Sequence, residues 1–137
     1  MHYWLLKSEP STWSWKDQEN SNVDMWDGVR NYQARNNLMK MKIGDKCFFY
    51  HSVTEKSIIG IVKVVREHYL DPTDKKRKFV AVDVEALEKL KFPVSLDRIK
   101  KNTKLKNIAL IKQSRLSVMP ISLIEYREII KISKKDG

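Results

Sequence analysis

Apolar and polar positions alternate along this chain in short blocks whose period changes from one block to the next. Tyr3, Trp4, Leu5 and Leu6 form the first block. Rich in strand formers and halted by Pro10, they predict a strand over His2–Lys7. Ser14 with Asp17 has the form of a capping box and predicts a short helix, with Trp13 and Trp15 packing inward as core or staple residues ahead of the alternative, stacking platforms. Ala34, Leu38 and Met41 recur at i, i+4 and i+7, which predicts a helix from Tyr32 to about Met41 with Arg35 facing outward. Past a turn at Gly44-Asp45, the Phe- and Tyr-rich Lys46–His51 and the β-branched Ile58–Val65 predict a hairpin joined by the polar link Val53–Ser57. One of its strands is expected to be buried on both faces.

Asp71-Pro72-Thr73-Asp74 carries a turn signal, and Lys75-Lys76-Arg77-Lys78 makes the loop after it basic. Phe79–Leu87 then alternates as a strand, with Val80, Val82 and Val84 on one face. Pro93 is expected to end that region, Ser95 to open a short helix through Ile99, and Ile108–Ile111 to form a brief buried strand. Ser122 with Glu125 forms a second capping box, opening a last helix that buries Leu123, Tyr126 and Ile130. No repeat, low-complexity linker or second core is visible. The expectation is one α+β domain over residues 1–131, a mixed barrel-like sheet of about five or six strands flanked by short helices. Residues 132–137 are expected to form a charged, frayed tail.

Composition narrows the function classes. A chain of 137 residues can bury a core without staples. Its single cysteine, Cys47, excludes an internal disulfide and suits a small core hydrophobe in a reducing compartment. The three histidines show no zinc spacing, so neither a metal nor a cofactor is expected. No apolar run approaches membrane length and no signal-peptide pattern opens the chain. An intracellular protein, cytoplasmic or nuclear in a eukaryote, is expected. The net charge of +10 is one-sided: residues 1–50 hold seven Lys/Arg against six Asp/Glu, and residues 51–137 hold twenty against eleven. Such an excess suits either a polyanionic partner or a lysine-rich surface kept for solubility.

The stretch Trp26-Asp27-Gly28-Val29-Arg30-Asn31-Tyr32-Gln33-Ala34-Arg35-Asn36 carries the most chemistry. Gly28 can take a positive φ, so Asp27-Gly28 lets the backbone fold sharply beside Trp26. Asn31 can cap the helix that follows. Trp26 is either a core residue or a rim aromatic on which a base could stack. Arg30 and Arg35, with Asn31, suit phosphate and backbone contacts at a pocket mouth, although Arg35 could equally be solvated. Tyr50, His51 and Ser52 end a strand and could read a base edge, but simple pleating cannot turn all three to one wall. Leu116, Val118 and Met119 make the segment around Arg115 partly buried, so Arg115 needs a partner, a carboxylate such as Glu9 or a ligand. Deamination would need a zinc signature that the chain lacks, and no spacing demands a hydrolytic pair, so an enzyme is not expected.

Tyr3-Trp4-Leu5-Leu6-Lys7-Ser8-Glu9-Pro10, the Trp26–Asn36 stretch, Phe49-Tyr50-His51-Ser52 and Ser114-Arg115-Leu116-Ser117-Val118-Met119-Pro120 follow one another across residues 3–120. As a set they resemble the EVE domain family of the PUA-like superfamily. The resemblance implies a PUA-like pseudo-barrel and a base pocket of Ser8, Trp26, Asn31, Tyr50, His51, Ser52, Arg115 and Ser117, with Lys7, Arg30 and Arg35 on the backbone. It implies a non-catalytic reader of a flipped, modified cytosine in DNA, of the 5-methyl or 5-hydroxymethyl kind. A methylated base in RNA is the alternative. A reader with no effector domain in the chain would need a protein partner.

Overall fold

A continuous apolar run makes Tyr3–Ser8 (β1) a strand that must be covered on both sides, and the sheet supplies that cover. The structure, a computed structural model, describes all residues from Met1 to Gly137. After β1 come helix α1 (Trp15–Ser21), strand β2 (Val23–Trp26), helix α2 (Tyr32–Lys40) and strands β3 (Lys46–His51), β4 (Ser57–Leu70) and β5 (Val80–Ser95). Helix α3 (Leu96–Lys100), a 3-10 turn at Thr103–Leu105, helix α4 (Ala109–Lys112), strand β6 (Val118–Ile121) and helix α5 (Leu123–Ile132) complete the chain. The six strands form one mixed sheet in the order β2-β5-β4-β3-β1-β6. Only β1 and β3 run parallel. The sheet is open: its two edges, β2 and β6, do not pair with each other.

Helix starts follow local chemistry. Ser14–Asp17 and Ser122–Glu125 form reciprocal capping boxes, while Asn31 and Ser95 accept from the N–H groups of Ala34 and Arg98. The stripe Ala34, Leu38 and Met41 is fully buried. In the sheet, β3 lies between β1 and β4, and nearly all of it is buried. A register shift between Phe49 and Tyr50 bends it, so that successive side chains here do not simply alternate between core and solvent. Phe49 is the hub of the core. Trp15 and Trp26 both meet it edge-on, at 5.4 and 5.5 Å between ring centroids.

Several expectations are corrected. Ile108–Ile111 is no strand: Ala109–Lys112 forms one helical turn, because a short apolar run has no period that separates the two states. Burial of Ile108 and Leu110 was foreseeable; their conformation was not. Strand β4 runs on to Leu70 and β5 through Pro93 to Ser95, since the outer half of the hairpin exposes one face and loses its apolar run. Pro93 is tolerated because β2 covers β5 only from Val82 to Glu85. The edge strands β2 and β6, four residues each, had too little pattern to be foreseen. On α5 the buried residues are Tyr126 and Ile129 rather than the stripe through Leu123, which is exposed, and Ile130, which is half-buried. Past the expected boundary at 131, Ser133 is buried, its carbonyl accepts from the Phe92 N–H, and Arg98 donates to the Ile132 and Lys135 carbonyls. No helix is long and apolar enough to cross a membrane.

Gly60, in the middle of β4, is required by close approach. A Cβ there would lie 2.6 Å from carbons of the Trp15 ring. Gly60→Ala is expected to push that ring off Phe49 and cost about 1–3 kcal/mol, as overpacked cores do. Urea denaturation followed by tryptophan fluorescence measures it. An unchanged midpoint would mean that Trp15 shifts freely and does not brace the sheet.

Candidate nucleic-acid interface

The 26–31 loop takes its shape from a carboxylate far away in sequence. Gly28 adopts φ +77°, the left-handed turn that its missing Cβ permits. Its N–H then donates to Asp71 Oδ2 at 2.8 Å. Arg30 Nη1 donates to the same oxygen at 3.0 Å, and its Nη2 to Thr73 Oγ1 at 3.0 Å. Asp71 Oδ1 accepts from the Thr73 N–H at 2.7 Å and hydroxyl at 2.6 Å. Burial alone would push this carboxyl upward. The bonds from Thr73, Gly28 and Arg30 outweigh it and hold Asp71 below the usual carboxylate range. The loop after β2 is thereby fastened to the turn after β4.

The facing wall leaves the end of β1. Ser8 Oγ donates to the Trp13 carbonyl, and the Trp13 indole N–H donates to Gln18 Oε1 at 3.0 Å. Gln18 is fully buried and donates onward to the Asn22 carbonyl at 3.0 Å. Trp13 is thus a half-buried ring held in one orientation. Lys7 Nζ donates to the Ser114 carbonyl at 2.7 Å, tying β1 to the segment before β6, and burial pulls its pKa below the ordinary lysine value.

Between these walls lies a cleft of about 740 Å³, within the range of small-ligand sites. Trp13, Met25, Trp26 and Val29 are its apolar lining. Its charged lining is Lys7 and Arg30 against Glu9, Asp24 and Asp27. Trp26 ends β2, one edge of the sheet, whereas Ser117 immediately precedes β6, the other. The cleft therefore occupies the gap that the open sheet leaves between its edges.

The sequence-derived residues divide. Ser8, Trp26, Asn31 and Ser117 line the cleft, as do Lys7 and Arg30. For Trp26 the two alternatives merge: the ring is only 8% exposed and backs onto Phe49, yet it forms part of the wall. Tyr50, His51 and Ser52 do not reach the lining. Tyr50 and His51 are buried in the sheet, and the His51 imidazole is used on both sides. Its Nε2 accepts from the Trp15 N–H at 3.0 Å, which leaves Nδ1 to carry the proton toward Glu55 Oε1, also at 3.0 Å. Ser52 sits behind the wall, where its N–H donates to the Ser8 carbonyl at 2.9 Å.

The three arginines take different places. Arg115 is exposed rather than partly buried and makes no ion pair, so it needs no partner; Glu9 holds the Ser11 hydroxyl instead. Arg35 lies outside the lining, its guanidinium 4.9 Å from the Tyr32 ring centroid and bonded to the Lys78 carbonyl. Arg30 lines the cleft but directs its N–H groups to Asp71, Thr73 and its neighbour's carbonyl, which leaves little for a phosphate. Reasoning from the sequence put Trp13 with the core or staple residues, ahead of a stacking platform, and missed Asp24 and Asp27. The signal for Trp13 was its place on the loop leaving β1, before the Ser14 cap, where binding residues concentrate. Of the three lining carboxylates, Asp24 accepts from Ser21 and from the Met25 N–H, whereas Asp27 has no protein partner. The cleft thus carries two indole rings and three carboxylates in one lining.

The model of the EVE domain matches residues 2–132. Human thymocyte nuclear protein 1 is 34% identical over 168 aligned residues, covering 98% of this chain and 75% of that protein. Among solved structures, a protein from Agrobacterium tumefaciens superposes with a TM-score of 0.93 at 44% identity, covering 97% of this chain and 93% of its own. The human protein in complex with 5-methylcytosine-containing DNA superposes with a TM-score of 0.88 at 32% identity, covering 100% of both chains.

Asp71→Asn keeps the side-chain shape but turns an amide N–H₂ or a neutral oxygen toward Gly28 and Arg30. It is expected to cost about 1–3 kcal/mol, the range for a buried donor left unsatisfied. The folded carboxylate titrates below its unfolded value of about 3.9, so the wild-type advantage is present at neutral pH. It shrinks as pH falls through the folded value. Urea denaturation of both proteins across acid pH checks this; a difference that does not narrow in acid would show that the charge is not what holds the loop.

Proposed function

The chain belongs to the EVE domain family, and from that membership and the cleft we propose that it holds one nucleobase turned out of a DNA strand, with modified cytosine preferred. The observation that carries this reading is the pairing of two indoles, Trp13 and Trp26, with carboxylate acceptors in one cleft. Stacking on an aromatic contributes on the order of 1–3 kcal/mol per base whatever the base is. Glu9, Asp24 and Asp27 supply what stacking lacks, since a carboxylate accepts from the exocyclic amino group of cytosine. The DNA complex of the human relative supports the same ligand class. A methyl group adds only about 0.8 kcal/mol when buried, so preference for 5-methylcytosine over cytosine should be roughly fourfold.

The cleft is a holding site rather than a catalytic one in this reading. The Ser8 hydroxyl is committed to a backbone carbonyl, and no histidine lines the cleft to act as its base. A second reading, a methylated base in RNA, gains from the same pair of indoles, because two rings begin the aromatic cage that a methylamino group favours.

Trp13→Ala is the discriminating variant, since Trp13 is half-buried and packs against the core from outside it, whereas Trp26 is part of the core. Fluorescence anisotropy with DNA bearing cytosine, 5-methylcytosine or 5-hydroxymethylcytosine, and with matching methylated RNA, reads the effect. Affinity for the preferred probe should fall by about fivefold to a hundredfold, while the weak, salt-sensitive binding shared by all probes stays. Unchanged affinity for that probe in Trp13→Ala would refute the base-holding cleft.

A further inference from the structure

The cleft binds phosphate poorly on its own, because Arg30 is spent on Asp71 and Thr73, Lys7 on Ser114, and three carboxylates share the lining. Lys112 and Arg115, by contrast, stand in sequence on either side of Ser114, the residue whose carbonyl Lys7 of the lining holds. Residues 98–115, which lead to Ser117 and the β6 edge, contain seven Lys/Arg and no carboxylate. Arg98 bonds backbone carbonyls and Lys104 meets Glu128 at 3.8 Å. Lys100, Lys101, Lys106, Lys112 and Arg115 are exposed and make neither an ion pair nor a side-chain hydrogen bond.

The other edge carries a second group. The turn between β4 and β5 displays Lys75, Lys76, Arg77 and Lys78, all exposed and all without an ion-pair partner. It is held rigidly. The Asp74 carboxylate accepts from the N–H groups of Lys76, Lys78 and Phe79 at 2.8–3.0 Å, and Arg77 sits at φ +57°, a strained setting for a residue with a Cβ. Asp71 fastens this turn to Gly28 and Arg30 on the cleft wall. Tyr32 and Phe79 stack at 5.0 Å beneath it, with the Arg35 guanidinium on Tyr32 and that of Arg30 near Phe79.

We propose that residues 75–78 and the pair Lys112 and Arg115 are two halves of one phosphate track, so that the backbone of a DNA duplex crosses the gap between the sheet edges and is gripped on both sides of the cleft. This rests on the base-holding reading, and it explains a requirement of that reading. A base turned into the cleft leaves phosphates on its 5′ and 3′ sides, and each side needs cations. Like charges clustered without ion-pair partners repel one another, and a polyanion relieves that repulsion.

The test compares two charge reversals, Lys112→Glu with Arg115→Glu and Lys75→Glu with Lys76→Glu, neither in the cleft lining. Probes are a duplex of about 12 base pairs, roughly one helical turn, carrying a central 5-methylcytosine or cytosine, and the free nucleoside of the same base, which has no phosphate. Thermal melts confirm that each variant is folded. Each double variant should weaken duplex binding for both bases alike and lower the slope of log affinity against log salt by about 2. The ratio between the two bases and the affinity for the nucleoside should stay as in wild type. If either pair leaves the duplex slope and affinity unchanged, the backbone does not run over that flank and the two-sided track is overturned. A nucleoside weakened as much as the duplex would also overturn it, since the charges would then act on the cleft and not on the backbone. Failure of the base-holding reading looks different: wild type would not distinguish the bases and Trp13→Ala would bind like wild type, whatever the flank variants do.

Discussion

One buried carboxylate joins the parts of this protein that must move as a unit. Asp71 follows β4, but the groups it satisfies belong to the loop after β2, forty-odd positions earlier. Without it, Gly28 would have an orphan N–H and Arg30 no reason to fold inward. Held by it, the Trp26 loop and the basic turn before β5 share one rigid frame. The energy is modest by the standard of the core, since Arg30 remains partly in water. Its effect is geometric: it converts a flexible Asp-Gly turn into one wall of a cleft.

The opposite wall is built by a different device. Trp13 and Trp15 flank the Ser14 cap, and the cap sends them apart, Trp15 into the Phe49 cluster and Trp13 toward the cleft. Gln18 then fixes Trp13 through its indole N–H. Buried polar groups are costly unless paired, and here the pairing specifies an orientation as well as satisfying an atom. Ser8, Ser52 and Lys7 brace the same wall through backbone carbonyls.

What could be read from the sequence was what depends on near neighbours. The caps at Ser14, Asn31, Ser95 and Ser122 are each satisfied within three residues, and Gly28 needs only its own φ, so these were legible. Position within the sheet was not. His51 and Tyr50 carry binding-type side chains, yet β3 lies at the middle of the sheet and its shifted register buries them. Arg115 looked buried from its apolar neighbours, although Leu116 and Val118 turn inward while Arg115 turns out. On α5, Tyr126, Ile129 and Ser133 have the same i, i+3, i+7 spacing as Leu123, Tyr126 and Ile130, so periodicity could not set the phase. The Asp71 clasp joins segments 41–43 residues apart, a distance over which a single sequence carries no signal.

Because the cleft lies between the first and last strands of an open sheet, none of its lining residues sets its width alone. The aperture is the sum of the twist across every strand between β2 and β6. Register shifts in the β4–β5 ladder, at Ile58/Gly60, Ile61/Val62, Val64/Arg66 and Arg66/Tyr69, add local twist to that sum. The size of group that the cleft admits is therefore a property of the whole sheet. A lineage could retune it by moving a bulge far from the ligand while every side chain in the cleft stayed the same.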